Sequence, residues 1–173
     1  MRGRIIIASG IVVAMLGMGA LPAWSAGASI EQRLEELEGR EAIRTLMKQY
    51  GRTLDTRRFD DFGRLFAEGD GVYVTGGREV KGQEAIAEMM RGVFADNPSG
   101  LKAPQFHVFF NEVIAFESPA RATAFSQSVY VAPGEDNAPR MVILASYDDV
   151  FVKRNGTWKF LRRAVHGEIP SGK

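Results

Sequence analysis

The stretch MVILASYDDVFVKRNGTWKFLRRAVH, residues 141–166, decides the fold. It contains two runs rich in β-branched and aromatic residues, 141–153 and 157–166, which are separated by Asn155-Gly156. Asn-Gly between two such runs is a strong hairpin signal, because both residues accept the positive φ angles of a type I′ turn. The segment therefore predicts a long antiparallel hairpin near the end of the chain.

Two more runs of strand-forming residues precede this hairpin, at 106–116 and 120–131. Together the four runs predict an antiparallel meander. Further upstream, Gly76-Gly77 separates two short β-rich runs, which predicts a smaller hairpin near residues 72–80.

Helical spacing dominates the chain before the meander. Ser29 and Gln32 form a capping-box pattern, and apolar residues then recur three and four positions apart as far as residue 54. This predicts one long helix, with Gly39 as the point where it could bend. Asp60 is the predicted N-cap of a short second helix that ends before Gly69, and residues 83–95 form a third. We therefore predict a single-domain α+β fold, with helices packed on one face of a curved antiparallel sheet.

Composition and charge exclude several classes of function. The 173 residues carry 22 Lys+Arg and 21 Asp+Glu, a formal net charge of +1, so no strong positive field favours nucleic acid. The chain has no cysteine, which excludes disulfides, thiolate metal sites and cysteine nucleophiles. Phosphate-binding loops, dinucleotide fingerprints and serine-hydrolase elbows are absent from the sequence. We expect no nucleic-acid partner, no metal and no cofactor.

The first 28 residues have the pattern of a secretory signal peptide. Arg2 and Arg4 precede an apolar stretch over residues 5–21, and small residues collect at 23–28. Cleavage after Ala28 or after Ser25 fits this pattern. The alternative is an uncleaved anchor, since the apolar stretch lies at the short limit for a spanning helix. We expect a signal peptide over 1–28, one domain over 29–173, and a secreted or periplasmic product without stable membrane insertion.

His107 and Asp55 are candidate catalytic residues. His107 opens an otherwise apolar strand, where an imidazole is either held by a core hydrogen bond or poised for proton transfer. Asp55 lies at the end of the long predicted helix, where a carboxylate opposes the helix macrodipole unless another group stabilises it. That group could be His107, or Asp55 could instead cap the turn before Arg57 and Arg58. The other histidine, His166, is more simply a polar group near the end of the chain.

Several motifs together resemble the SnoaL-like branch of the NTF2-like superfamily. In chain order over roughly residues 29–168 they are Tyr50-x-x-x-x-Asp55, Phe62-x-x-Leu65-Phe66, Gly82-x-x-x-Ile86, His107-x-x-x-Asn111, Tyr147-x-Asp149 and Gly156-x-Trp158-x-x-x-x-Arg163. The resemblance implies a cone-shaped barrel, in which a strongly bent sheet wraps around the N-terminal helices and leaves a deep apolar pocket. This agrees with the fold predicted from the residues.

Enzymes of this branch, among them scytalone dehydratase, bile acid 7α-dehydratase and hexachlorocyclohexane dehydrochlorinase, use an Asp-His dyad for elimination. The resemblance implies that Asp55 orients His107 as the general base and that Tyr50 hydrogen-bonds a substrate carbonyl or leaving hydroxyl. Scytalone dehydratase has a second histidine at the position that matches Ser126, so that particular dehydration is not implied.

Four further residues are predicted substrate contacts: Tyr73, Asn111, Ser126 and Arg163. Tyr73 could instead be a core aromatic residue of its strand. Arg163 could hold a substrate carboxylate or phosphate-like group, or it could be a solvated or ion-paired surface residue.

The expected function is an exported, cofactor-independent lyase or isomerase that acts on a small apolar molecule and forms a homodimer through its exposed sheet face. The first alternative is a non-catalytic ligand-binding or dimerisation module of the same fold. The second is a structural dimer domain of the cell envelope, whose pocket would be plugged by Phe109, Phe110 or Phe125.

Overall fold

The computed structural model describes residues 27, 29–95 and 103–170, so most of the predicted signal segment lies outside the described residues. Three helices and six strands follow in the order α1 Ile30–Asp55, α2 Phe59–Gly63, β1 Val72–Thr75, β2 Arg78–Lys81, α3 Gln83–Ala95, β3 Phe106–Ser118, β4 Arg121–Pro133, β5 Pro139–Arg154 and β6 Thr157–Ile169. Within the described ranges, no helix is both long and apolar enough to cross a membrane.

The long helix α1 is continuous through Gly39. It begins with the predicted capping box: the Ser29 hydroxyl accepts from the Gln32 amide, and the Ser29 N–H donates to the Gln32 side chain at 2.9 Å. At Gly39 the helix packs closely against the sheet, since a Cβ there would lie 3.1 Å from the Phe116 ring. From this point onward one face of α1 is buried, and it carries the chain down to Asp55.

The sheet has the strand order β2-β1-β6-β5-β4-β3. Strands β3 to β6 form the predicted antiparallel meander, and Asn155 and Gly156 both have positive φ, 51° and 76°, in the turn between β5 and β6. The expectation of a wholly antiparallel sheet is wrong, because β1 pairs with β6 in parallel, with Tyr73 opposite Arg163. The sheet is therefore mixed, and it is curved but not closed.

The third helix has the predicted bounds, whereas the second begins two residues earlier than expected and ends at Gly63. Arg58 is the N-cap of α2, and no side chain caps this end. Asp60 lies inside the first turn and pairs with Arg91 of α3 instead. An acidic residue also stabilises a first turn through the macrodipole, so Asp60 fits that position without capping it.

An aromatic cluster holds the helices against the inner face of the sheet. Its fully buried members are Tyr50 of α1, Phe62 of α2, Phe66, and Phe151 and Phe160 of the β5–β6 hairpin. Neighbouring rings lie 5.0–6.0 Å apart at angles between stacked and edge-on. Each buried ring contributes about 1.5–3 kcal/mol relative to an exposed one. The cluster adjoins a cavity, since its member Tyr50 also lines that cavity.

Candidate active site

The end of α1 and the start of β3 bring Asp55 and His107 together. Asp55 Oδ1 lies 2.6 Å from His107 Nδ1, and Asp55 Oδ2 accepts a hydrogen bond from the His107 backbone N–H at 3.1 Å. The two side chains are only 15% and 12% exposed. Because an ionised carboxylate can only accept, His107 Nδ1 carries a proton, and Nε2 is the ring nitrogen left to accept one.

Gly51 allows this close approach of helix and strand. A Cβ at this position would lie 3.1 Å from His107 Cβ and 3.1 Å from the Phe109 ring. The helix then ends at Asp55, and Arg57 takes up a left-handed conformation with φ 58° that turns the chain away. The last turn of α1 is thereby fixed against β3 with its carboxylate facing the imidazole.

A cavity of about 260 Å³ lies beside His107, between α1, α3 and the inner face of the sheet. Apolar side chains supply much of its wall, chiefly Leu54, Met89, Met90, Val93, Phe94, Ile143, Ala145 and Val165. All four tyrosines of the chain also line it, with Gln105, Ser128 and Thr75. The site therefore suits a small, largely apolar molecule with a few polar groups.

None of the three phenylalanines that were predicted as possible plugs lines the cavity. Phe109 packs below it, 5.9 Å from the Tyr50 ring and 5.3 Å from the Tyr147 ring, and Phe125 is 41% exposed on the other face of the sheet. Neither of these side chains lines the cavity, nor does Phe110. The prediction that Phe109, Phe110 or Phe125 plugs the pocket is therefore wrong.

Two hydroxyl pairs face the cavity. The Tyr50 and Tyr73 hydroxyls lie 3.1 Å apart, and the Tyr147 hydroxyl lies 2.9 Å from Ser128 Oγ. Burial raises the pKa of Tyr73 to about 12 and the pKa of Tyr50 well above its ordinary value. These phenols are therefore neutral near neutral pH and can donate hydrogen bonds to a ligand oxygen.

Tyr130 and Gln105 form the rim next to the imidazole. The Tyr130 ring centroid lies 4.5 Å from that of His107, and the Tyr130 hydroxyl donates to Gln105 Oε1. The Arg57 guanidinium donates to the same oxygen and lies 3.9 Å over the Phe94 ring. Tyr130 is directly opposite His107 in the β3–β4 register, so the rim follows from strand pairing.

Three predicted substrate contacts do not line the cavity. Asn111 is exposed at the irregularity in β3, where it has φ 54° and donates to the Gln127 side chain at 2.9 Å. Ser126 and Arg163 are fully buried beneath the cavity floor. The expectation that Arg163 could be a surface residue is wrong. Direct substrate contact by these three residues has no support in this geometry, in contrast to Tyr73.

Four lining residues were not predicted from the sequence: Gln105, Ser128, Tyr130 and Tyr147. Alternation along β4 supplies a signal, since Ser128 and Tyr130 have the parity that places them on the inner face. Among the described residues, no three acidic or histidine side chains are grouped as a metal site.

Comparisons with known proteins support the fold. A candidate scytalone dehydratase from Novosphingobium aromaticivorans DSM 12444 is 23% identical, with a TM-score of 0.64 over 78% of this chain and 87% of that chain. An NTF2-like protein with a cystatin-like fold, also from Novosphingobium aromaticivorans, is 24% identical, with a TM-score of 0.68 over 84% and 94%. A type 2 hexachlorocyclohexane dehydrochlorinase is 20% identical, with a TM-score of 0.63 over 79% and 89%.

At these identities the solved structures establish the fold and not the reaction. A search of curated proteins gives no significant match. The family model described as the SnoaL-like domain matches residues 35–164, which is most of the chain and includes Asp55, His107 and all four tyrosines. The resemblance stated from the motifs is thereby confirmed, and the chain belongs to the SnoaL-like domain family.

Proposed function

We propose that the chain is a cofactor-independent enzyme that removes a proton from carbon in a small apolar substrate, as a lyase of the dehydratase type or as an isomerase. The observation that carries the proposal is the 2.6 Å contact between Asp55 Oδ1 and His107 Nδ1 at the wall of an apolar cavity. An imidazole with one nitrogen held by a carboxylate and the other free to accept a proton has the arrangement of a general base.

In the proposed reaction His107 Nε2 takes a proton from a carbon next to a carbonyl group. The electron pair of the broken C–H bond moves toward the carbonyl oxygen, and a hydrogen bond from Tyr50 stabilises the charge that develops there. In a lyase this electron pair then expels a hydroxyl group from the next carbon, and the imidazolium returns the proton so that water leaves. In an isomerase the same proton returns to a different carbon.

Two features of the site support this chemistry. The Asp55 carboxylate stabilises the imidazolium electrostatically, and the mostly buried position of the pair strengthens that interaction over its value in water. The phenols around the cavity are neutral donors because burial raises their pKa. General-base catalysis of this kind contributes about 10²–10⁴-fold in rate.

Hydrogen–deuterium exchange at carbon tests the proposal without a known substrate. A panel of small cyclic ketones is incubated with the protein in D₂O, and loss of the α-carbon proton signals is followed by NMR. We expect catalysed exchange for at least one ketone, and its loss in His107→Gln. The matched control is His166→Gln, because His166 is 53% exposed and pairs with Asp148 at 3.2 Å outside the cavity. Exchange that persists in His107→Gln would refute the proposal.

The second candidate function is a non-catalytic ligand-binding module. The hydroxyl pairs favour this function, because Tyr50 already contacts Tyr73 and Tyr147 already contacts Ser128. Hydroxyls that already have partners are less available to stabilise charge on a reacting oxygen. Native mass spectrometry of the purified protein separates the two functions. A co-purifying molecule that is released unchanged, together with no exchange in the ketone panel, would support binding over catalysis.

The homodimer is proposed to form through the outer face of the sheet. Exposed apolar residues collect there on β3, β4 and β5: Phe106, Val108, Val113, Phe125 and Met141. An exposed apolar face of this kind is typical of an interaction surface. Analytical ultracentrifugation of the wild type and Phe125→Lys tests this, with a monomeric wild type as the contrary result.

Export is proposed from the signal pattern over residues 1–28. Mass spectrometry of the protein recovered from the medium or the periplasm is expected to give a chain that begins at residue 29 or 26. An intact chain in the cytoplasmic fraction would contradict the proposal.

A further inference from the structure

Arg163 of β6 is a fully buried cation beneath the cavity floor. Its guanidinium carbon lies 4.0 Å over the Tyr50 ring and 4.1 Å over the Tyr147 ring. The hydroxyl groups of both tyrosines belong to the pairs that face the cavity. The rings of Tyr50 and Tyr147 thus lie between the positive charge and the cavity.

Few other groups compensate this charge. The described residues provide no hydrogen-bond acceptor for Arg163 Nε, Nη1 or Nη2. The nearest carboxylate is that of Asp149, whose Oδ2 lies 3.5 Å from Nη1 and which is itself fully buried. A buried cation with so few polar partners is costly to the folded state. The ring faces of Tyr50 and Tyr147 are its nearest aromatic neighbours, followed by those of Phe160 at 4.7 Å and Phe109 at 5.3 Å.

The interaction between a cation and a phenol ring depends on the charge of the ring. A ring that gains electron density is attracted more strongly to the cation, and a phenol gains density when its hydroxyl donates to an anionic oxygen. Consistent with this, burial raises the pKa of Tyr50 and Tyr147, and the charge of Arg163 acts in the opposite direction. Arg163 therefore stabilises the hydroxyls most when they bind negative charge.

We propose that Arg163 is a positioning residue which acts through Tyr50 and Tyr147, so that the cavity floor prefers ligands with negative charge on an oxygen conjugated to a ring or double bond. Enolates and phenolates form this ligand class. The inference deepens the proposed function and rests on it in one respect, namely that Tyr50 faces the reacting oxygen. It replaces direct contact between Arg163 and a substrate carboxylate or phosphate with an indirect role.

The test measures how strongly the protein ionises a bound phenol. The probe is 4-nitrophenol, whose phenol and phenolate forms absorb at different wavelengths and interconvert near neutral pH. Its ionised fraction is compared between the free and bound states at one fixed pH, since Asp149 beside Arg163 also titrates near neutral pH. The full chain is used in a His107→Gln background, because a bound phenol could otherwise pass its proton to the imidazole.

We expect the bound probe to be more ionised than the free probe, and the ratio of phenolate to phenol affinity to fall about tenfold in Arg163→Met. The matched control is Arg162→Met, because the neighbouring Arg162 is 42% exposed and pairs with Glu79 at 3.7 Å. This control is expected to change the ratio less than about twofold.

Tyr50→Phe in the same background is the second variant, in case Arg163→Met does not fold. It keeps the ring and the guanidinium but removes the hydroxyl, and we expect the phenolate preference to fall. A bound probe no more ionised than the free probe, or a preference unchanged in either variant, would overturn the inference. These readouts need no turnover, so they are distinct from failure of the ketone exchange.

Discussion

Replacement of Asp55 by Asn tests the central geometry of the site. Asp55 accepts two hydrogen bonds from His107, one from Nδ1 over 2.6 Å and one from the backbone N–H over 3.1 Å. An Asn side chain has only one acceptor oxygen. If that oxygen keeps the backbone bond, the amide NH₂ faces Nδ1 and favours the tautomer with the proton on Nε2. The nitrogen that should accept a proton from the substrate is then already protonated.

The expected loss of stability follows from the two hydrogen bonds that Asp55 accepts from His107. Each of the two hydrogen bonds to the charged carboxylate contributes about 1.5–3 kcal/mol, whereas each of the two neutral bonds that Asn can make contributes about 1 kcal/mol. The pair is largely buried, so solvent screens little of this difference. We expect Asp55→Asn to lower the free energy of unfolding by about 1–4 kcal/mol. The rate of ketone exchange is expected to fall by about 10²–10⁴-fold, because the wrong tautomer predominates.

Urea unfolding and ¹⁵N NMR of the imidazoles measure the two effects. The chain has only two histidines, so His166 serves as an internal reference for the tautomer of His107. The matched control is Asp148→Asn, because Asp148 lies 3.2 Å from His166 in an exposed Asp–His pair. This change is expected to lower the free energy of unfolding by less than about 1 kcal/mol. An unchanged Nδ1–H tautomer together with unchanged stability in Asp55→Asn would refute the reasoning.

Two predictions concern other parts of the fold. Gly63→Ala is expected to destabilise the protein by at least about 2 kcal/mol, because the new Cβ would lie 2.3 Å from the Gln83 backbone oxygen. The control is Gly92→Ala, whose new Cβ would meet nothing within 4 Å. This change should be neutral or stabilising by about 0.5–1 kcal/mol. Thermal unfolding checks both, and equal effects would contradict the clash. Burial raises the pKa of Asp149 from 3.8 to about 7, so between these values the folded chain binds a proton that the unfolded chain lacks, and stability falls as the pH rises. Asp149→Asn should flatten this dependence in urea titrations at several pH values, and parallel curves for both proteins would argue against it.

Local signals were sufficient for most of the fold. The bounds of α3 and the Asn155-Gly156 turn depend on side-chain periodicity and on backbone preferences of neighbouring residues, and both were predicted. The parallel pairing of β1 with β6 was not, because β1 has only four residues and its own sequence signals a hairpin with β2. A strand of four residues carries no sequence pattern that identifies a partner strand distant in the chain.

The burial of Arg163 shows why part of the site was inaccessible to sequence reasoning. Trp158 and Phe160 point inward, so strict alternation would place Arg162 inward and Arg163 outward. The β5–β6 register shifts between Val150 and Phe151, which leaves one additional residue in β6 and reverses the parity. The sequence carries no signal for this irregularity, whereas Asp55 and His107 were identified because their residue types and motif spacing are informative.

The position of β3 at the edge of the sheet gives Asp55 a second consequence. The His107 backbone N–H points away from β4, and Asp55 Oδ2 occupies the place that an acceptor from an additional strand would take. Unpaired edges invite other chains to add as strands, and a charged side chain blocks such addition. The carboxylate that orients His107 therefore also blocks strand addition at the β3 edge. Its loss is expected to promote self-association of the protein in solution as well as to impair catalysis.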